Sequence, residues 1–232
     1  MSKRYSYLFF DLDSTFWDVP TNQRAAQEAL YDECQMGRYF DSFDAYFSRF
    51  VEINSKLWAD YRDGIVAREQ LRNDRFARLL KEVGIHDRDY AVFMSNRYLQ
   101  LTPTFNNLVE GSIETLDYLY GKGYPMALIT NGFNEVQFDK VKLAGLEKYF
   151  VRITTSEYAG VNKPAPGIFE YALRKAGVKA EESIMIGDDP YSDIYGASNV
   201  GLDTIFFNPK GIDTDTRPTY TVRKLIEITG IL

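Results

Sequence analysis

Eight polar residues of this 232-residue chain stand where chemistry is to be expected: Asp11 and Asp13, Thr130 and Asn131, Lys163, and Asp188, Asp189 and Asp193. Each group follows an apolar run. Tyr7-Leu8-Phe9-Phe10 ends in the first pair, Met126-Ala127-Leu128-Ile129 in the second, and Ile184-Met185-Ile186 in Gly187 and the last acids. Residues 150–154 lead through a loop to Lys163. Apolar runs this short, bounded by polar residues, read as buried strands rather than helices. In a parallel sheet the C-terminal strand ends share one side, so these groups converge on one crevice. Singly, each has a plain structural explanation. Asp11 and Asp13 could make an Asx turn, Thr130-Asn131-Gly132 a turn or cap, Lys163 a solvated loop lysine, and Asp188-Asp189 a helix cap. Four such strand ends in one chain favour a site.

The chemistry that fits is phosphoryl transfer. Crowded carboxylates raise one another's pKa unless a cation neutralises them. An oxygen-rich site without His or Cys suits Mg²⁺, held by one or two carboxylates, water and substrate phosphate. A carboxylate can attack phosphorus and form an aspartyl-phosphate, splitting one hard displacement into two. A lysine and a hydroxyl would stabilise the charge spreading over the phosphoryl oxygens. A second carboxyl two residues along can protonate the leaving oxygen and then deprotonate water.

Composition removes competing chemistries. The chain carries one His (His86) and one Cys (Cys34), so neither a two-histidine zinc site nor an internal disulfide can form. No Arg follows Cys34 at the spacing of a cysteine-phosphatase loop, and no GxxxxGK[ST] or GxGxxG pattern occurs. His86 sits in a Gly84-Ile85-His86-Asp87 turn between helices. Net charge is −6 without a basic cluster, which argues against nucleic-acid polymers and anionic membranes as partners but not against small phosphorylated metabolites. The N-terminal apolar run is soon interrupted by acids, unlike a signal peptide, and no stretch approaches a membrane span. A cytoplasmic location and a monomer or homodimer are the expectations.

The elements that must position these residues alternate in two styles. Periodicity predicts helices over 22–36, 41–61, 67–83 and 88–101, four in succession without a strand, which is the pattern of a helical bundle. From Pro103 onward helices (112–121, 135–144, 166–176, 192–199, 223–229) alternate with strands, the last at 204–207. That alternation predicts an α/β fold, a doubly wound parallel sheet with helices on both faces. Residues 208–220, rich in Pro, Asp and Thr, read as a surface loop. The first strand lacks a helix of its own layer, so residues 1–16 and 103–232 form one discontinuous domain. Residues 17–102 form a helical insertion. Trp17, Tyr39, Phe40 and Arg97 are candidates to face the organic part of a substrate, with packing inside the bundle as the alternative.

DLDST at 11–15, LITNG at 128–132, Lys163-Pro164 and IGDDPYSDIYGA at 186–197 resemble, in order, the four motifs of the haloacid dehalogenase-like (HAD) hydrolases. The insertion resembles their C1-type helical cap, and the core their Rossmann-like fold. The resemblance implies Asp11 as nucleophile and Asp13 as general acid/base, whose main-chain carbonyl also meets Mg²⁺. It implies Thr130, Asn131 and Lys163 around the phosphoryl group, and Asp188 as the second metal carboxylate. Asp189 and Asp193 would lie behind them. Ser14 replaces a common Gly. The dehalogenases lack the second aspartate, so Asp13 implies a phosphatase. TNGFNEVQ at 130–137 and SEYAGVNKP at 156–164 resemble the bacterial pyrimidine 5′-nucleotidase branch; acylneuraminate-phosphate phosphatases share the TNG element. A nucleoside 5′-monophosphate is the expected substrate. A sugar or acylneuraminate phosphate is the alternative, and a phosphomutase or a silent binding protein stands further off.

Overall fold

The computed structural model describes residues 5–232. The chain divides into two units, Met1–Val19 with Asn106–Leu232, and Pro20–Phe105. Sequence reading placed the junctions at 16/17 and 102/103; the structure moves both by three residues. Trp17 explains the first shift, because it bridges to Asp13 and to Leu108 within the sheet unit.

The sheet unit holds six parallel strands in the order β3-β2-β1-β4-β5-β6. These are β1 (Tyr7–Phe10), β2 (Met126–Thr130), β3 (Phe150–Thr155), β4 (Ser183–Gly187), β5 (Asp203–Phe207) and β6 (Tyr220–Val222). Every residue of β1, β2 and β4 is buried, as continuous apolar strands covered on both faces must be. Alternation sorts their side chains. Leu8, Phe10, Leu128 and Ile186 pack on one face with Leu116 and Leu119 of α5 (Ser112–Gly121) and with Leu225 and Ile228. Phe9, Ala127, Ile129 and Met185 pack on the other with Ile168, Phe169 and Ala172 of α8 (Pro166–Ala176). Each fully buried side chain of this size contributes about 1.5–3 kcal/mol. Strand order reverses at β1, between β2 and β4, and such a switch point opens a crevice beyond the carboxyl ends.

One strand of this unit, β6, escaped the sequence reading. The three residues of β6 pair with β5 at the end of the predicted surface loop. The predicted helix over 192–199 begins instead at Pro190, as a π-helical stretch over Pro190–Tyr195 followed by α9 (Gly196–Ser198). The predicted last helix is a 3₁₀ helix, Leu225–Gly230.

The helical unit comprises α1 (Val19–Glu33, whose first residue belongs to the sheet unit), α2 (Phe43–Arg62), α3 (Arg68–Glu82) and α4 (Arg88–Leu101). Sequence reading started α1 three residues late. Pro20, in its first turn, lacks only an N–H that the helix leaves unpaired anyway. Ser42 caps α2 by accepting from Ala45 N at 3.1 Å, and Asp87 caps α4 by accepting from Tyr90 N at 2.9 Å. Caps of this kind contribute about 1 kcal/mol each. Tyr46, Phe50, Phe76, Leu79, Met94 and Tyr98 form its core. Among the described residues no helix is long and apolar enough to cross a membrane.

Candidate active site

Asp11 directly follows β1, and its N–H donates to Ile186 O at 2.9 Å, extending the β1–β4 ladder by one residue. Its carboxylate is thereby carried to the switch point. Lys163, in the loop between α7 (Ser156–Ala159) and α8, reaches the same spot; its peptide bond to Pro164 is cis. The Lys163 ammonium donates to Asp11 Oδ1 at 2.6 Å, to Asp193 Oδ1 at 2.6 Å and to Ile129 O at 2.9 Å. All three donor positions of the amine are therefore used. The loop is pinned by Asn131, whose Nδ2 donates to Lys163 O at 3.0 Å while Lys163 N donates to its Oδ1 at 2.7 Å. Asn131 thus turns its side chain to the Lys163 backbone.

Behind β4, Asp193 accepts from Lys163 with one oxygen and from Asp189 N (3.1 Å) with the other. A Cβ on Gly187 would overlap the Asp193 carboxylate, so only glycine lets that side chain lie under the strand end. Asp189 caps the following turns, accepting from Tyr191 N and Ser192 N at 2.8 Å each. Asp188 accepts from Thr15 Oγ1 at 3.2 Å, a contact that sequence reading did not assign.

Asp11, Asp188 and Asp193 offer carboxylate oxygens within 4.8 Å of one another, against the single ammonium of Lys163. The imbalance appears in their proton affinities. Burial pushes the Asp11 carboxyl well above its ordinary range, with Lys163 opposing and Asp193 and Asp188 adding to the rise. Burial and the charge of Asp193 push Asp188 up to about 7. Burial likewise raises Asp193, with Lys163 opposing. For Lys163 burial works against the charge, yet Asp11 and Asp193 outweigh it and its pKa is raised. An all-oxygen cluster with surplus negative charge fits a hard divalent cation. Both Asp193 oxygens are already engaged, so Asp11 and Asp188 are the carboxylates suited to hold one.

Asp13 lies one turn further and belongs to a second cluster. Gln137 Nε2 donates to its Oδ2 at 2.9 Å and Lys140 Nζ to its Oδ1 at 2.5 Å. Both come from α6 (Asn134–Leu143), and both are buried. The Lys140 ammonium lies 3.7 Å from the centroid of the Trp17 ring. Thr130 donates its hydroxyl to Gln137 Oε1 at 3.2 Å and accepts from Gly132 N at 3.0 Å. Ser14 takes φ 63°, a left-handed conformation that glycine adopts without strain and other residues adopt at a cost of about 1 kcal/mol. Sequence reading missed Gln137 and Lys140. Their signal was a polar pair three residues apart on the helix face that also buries Val136 and Val141.

Trp17 is not a residue of the helical unit: it is 1% exposed in the sheet core. The other candidates there have mixed surroundings. Phe40 packs edge-on against Tyr46, Arg97 pairs with Glu33 at 2.8 Å, and Tyr39 is exposed. His86 is exposed in the turn between α3 and α4.

The haloacid dehalogenase-like hydrolase family model matches residues 5–201, and the chain belongs to that family of hydrolytic enzymes. It is 31% identical over 233 residues to the HAD-hydrolase YfnB of Bacillus subtilis, covering 99% of this chain and 96% of that one. The crystal structure of YfnB bound to magnesium superposes with a TM-score of 0.89 at 29% identity, over 99% of both chains. The pyrimidine 5′-nucleotidase PynA of Streptococcus pneumoniae is 31% identical over 94% of this chain and 91% of its own. The glyceraldehyde 3-phosphate phosphatase of Pyrococcus furiosus is also 31% identical, over 88% of this chain and 81% of its own.

Proposed function

We propose that the chain is a Mg²⁺-dependent phosphomonoesterase that forms an aspartyl-phosphate on Asp11 and acts on a nucleoside 5′-monophosphate. The observation that carries it is the Asp11–Lys163 pair at 2.6 Å, with Asp188 alongside and a second aspartate two residues on. Asp11 and Asp188, with the Asp13 main-chain carbonyl, would hold the cation. Bound there, Mg²⁺ supplies positive charge against the phosphoryl oxygens and keeps Asp11 ionised.

Lys163 fixes the Asp11 carboxylate and adds charge beside the phosphoryl group. Asp11 attacks phosphorus, the bond to the leaving oxygen breaks, and Asp13 gives that oxygen its proton. Asp13 then takes a proton from water as the water oxygen attacks phosphorus and frees Asp11. For Thr130 to donate to the phosphoryl group, its hydroxyl must turn from Gln137 Oε1. Asn131 contributes by holding the Lys163 loop.

The nucleotide reading draws on the likeness to PynA, and the sugar-phosphate alternative on the likeness to the Pyrococcus enzyme. A phosphate-release panel of nucleoside monophosphates and sugar phosphates, run with and without Mg²⁺, tests both. Nucleotide turnover that needs Mg²⁺ is expected; turnover confined to sugar phosphates moves the substrate, and release from no ester ends the reading.

A further inference from the structure

We infer that Gln137 and Lys140 are positioning residues for Asp13, seating its carboxyl for both proton transfers; the inference rests on the phosphatase reading above. Each donates to a different oxygen of the same carboxylate, at 2.9 and 2.5 Å. Two donors on two oxygens fix the rotation of the group, which one donor would leave free. While Asp13 is ionised, the Gln137 amide has a single allowed orientation. A carboxylate only accepts, so the amino end faces Asp13 and the oxygen faces the Thr130 hydroxyl. One side chain thereby links the proton-handling residue to the residue expected at the phosphoryl group.

Lys140 is held as firmly. Its ammonium lies 3.7 Å from the Trp17 ring centroid, and Trp17 bridges back to Asp13 in the loop after β1. Anion, cation and ring are thus set by one short segment and one helix face. Gly132 completes the arrangement, since a Cβ there would overlap the Gln137 side chain. The labour is divided between two lysines: Lys163 aligns Asp11 and Lys140 aligns Asp13. Neither Gln137 nor Lys140 need touch the substrate.

The consequence is specific to the proton. An alkyl phosphate loses a poor leaving group and depends on the acid, whereas the weakly basic p-nitrophenolate leaves p-nitrophenyl phosphate with little help. The ratio of their kcat/KM values, which stops at the first irreversible step, isolates the alignment of Asp13. Lys140→Met and Gln137→Ala should each lower kcat/KM for the alkyl ester about 10–100-fold, and for the aryl ester less than about threefold. Lys140→Arg, which keeps the cation, should recover most of the alkyl rate. A folded Lys140→Met enzyme with the native alkyl-to-aryl ratio overturns the inference, as does an equal loss on both esters. If the native protein releases phosphate from no ester, the phosphatase reading fails and a spectroscopic measurement judges the clamp. The chain has two tryptophans, so Trp58→Phe leaves Trp17 as the only tryptophan emitter. Asp13→Asn and Lys140→Met should then shift Trp17 emission in the same sense; emission unchanged by both overturns the clamp.

Discussion

Lys163 in the sheet unit and Arg75 in the helical unit are equally buried, each 3% exposed, and their surroundings differ in kind. Lys163 meets two carboxylates and a carbonyl, and its pKa is raised despite burial. Arg75 donates only to neutral groups, and the positive charge of nearby Arg72 works against its own. Its Nε donates to Leu71 O at 3.2 Å, Nη1 to Asn54 Oδ1 at 3.3 Å, and the guanidinium lies 5.4 Å from the Tyr98 ring centroid. Nη2 has no hydrogen-bond partner among the described residues. Burial pushes its pKa down to about 10, so it stays charged at neutral pH. Desolvation acts on both cations in one direction, and the partners decide the outcome. Where two carboxylates flank the cation, removing it strands charge; where amides and a ring flank it, removal strands little.

The largest effect expected at the Lys163 end is chemical. Asp11→Asn keeps the shape of the side chain and removes the nucleophile, so phosphate release should fall by about 10⁴-fold or more, as for other nucleophile deletions. Steady-state phosphate assay beside a melting curve checks this; retained turnover by a folded variant sinks the aspartyl-phosphate. Next comes Lys163→Met, which leaves Asp11 and Asp193 buried without their common cation. Breaking a buried pair from one side costs about 3–5 kcal/mol, so chemical denaturation should show that loss in the metal-free protein. A variant as stable as the native chain would mean that the two carboxylates are protonated or otherwise satisfied, and the contrast with Arg75 would lose its basis.

How far the sequence revealed these two regions follows from where the partners lie. The strand-end positions of Asp11, Thr130 and Asp188 were legible because each ends or directly follows an apolar run, and β1, β2 and β4 are fully buried, whereas Lys163 comes from a loop. Order and polarity at strand ends were enough to gather them. Gln137 and Lys140 were not legible as site residues, since a polar residue on a helix reads as solvent-facing until its partner is known. Their partner, Asp13, is more than a hundred positions away and contacts them only after β1 and β2 pair. Trp17 was misplaced for the opposite reason: it precedes a helix by two residues and looks like part of it. β6 is too short to carry a period of two, and only its pairing with β5 defines it.

A smaller effect tests whether surplus negative charge at the Lys163 end awaits a cation. Asp188, raised to about 7, and Asp11, also raised, hold protons in the folded protein at pH values where the unfolded chain has released them. The folded state binds more protons over that window. From these groups, metal-free stability is therefore greatest below the ordinary carboxyl pKa and declines as pH rises towards 7. The raised pKa of Lys163 contributes stability throughout this range and loses it only in strong alkali. A divalent cation competes with those protons. Mg²⁺ at 100 times its Kd should add about 2.7 kcal/mol, or about 5–10 °C in Tm, above pH 7, and distinctly less near pH 5. Calorimetry at the two pH values checks it. An equal shift at both, or none, would indicate that Asp11 and Asp188 do not hold the ion.

The smallest effect is expected at the other end of the comparison. Arg75→Met keeps a long apolar stem and removes the guanidinium that lies over the Tyr98 ring. What is lost is a 3.3 Å hydrogen bond to Asn54, a carbonyl contact and the attraction of the Tyr98 ring. Those are worth about 1 kcal/mol apiece at most, and Asn54 is left with an acceptor to satisfy. What is gained is relief from holding an unpaired charge in a dry interior, which for buried charges commonly matches or exceeds such losses. The change in unfolding free energy should therefore lie within about 1 kcal/mol of zero. Arg75→Ala, by contrast, empties the volume of the stem and should cost about 2–4 kcal/mol through the cavity. Denaturant midpoints of the two variants separate charge from volume. If Arg75→Met proves as costly as Lys163→Met, the guanidinium has an anionic partner in solution and the two cations are alike after all.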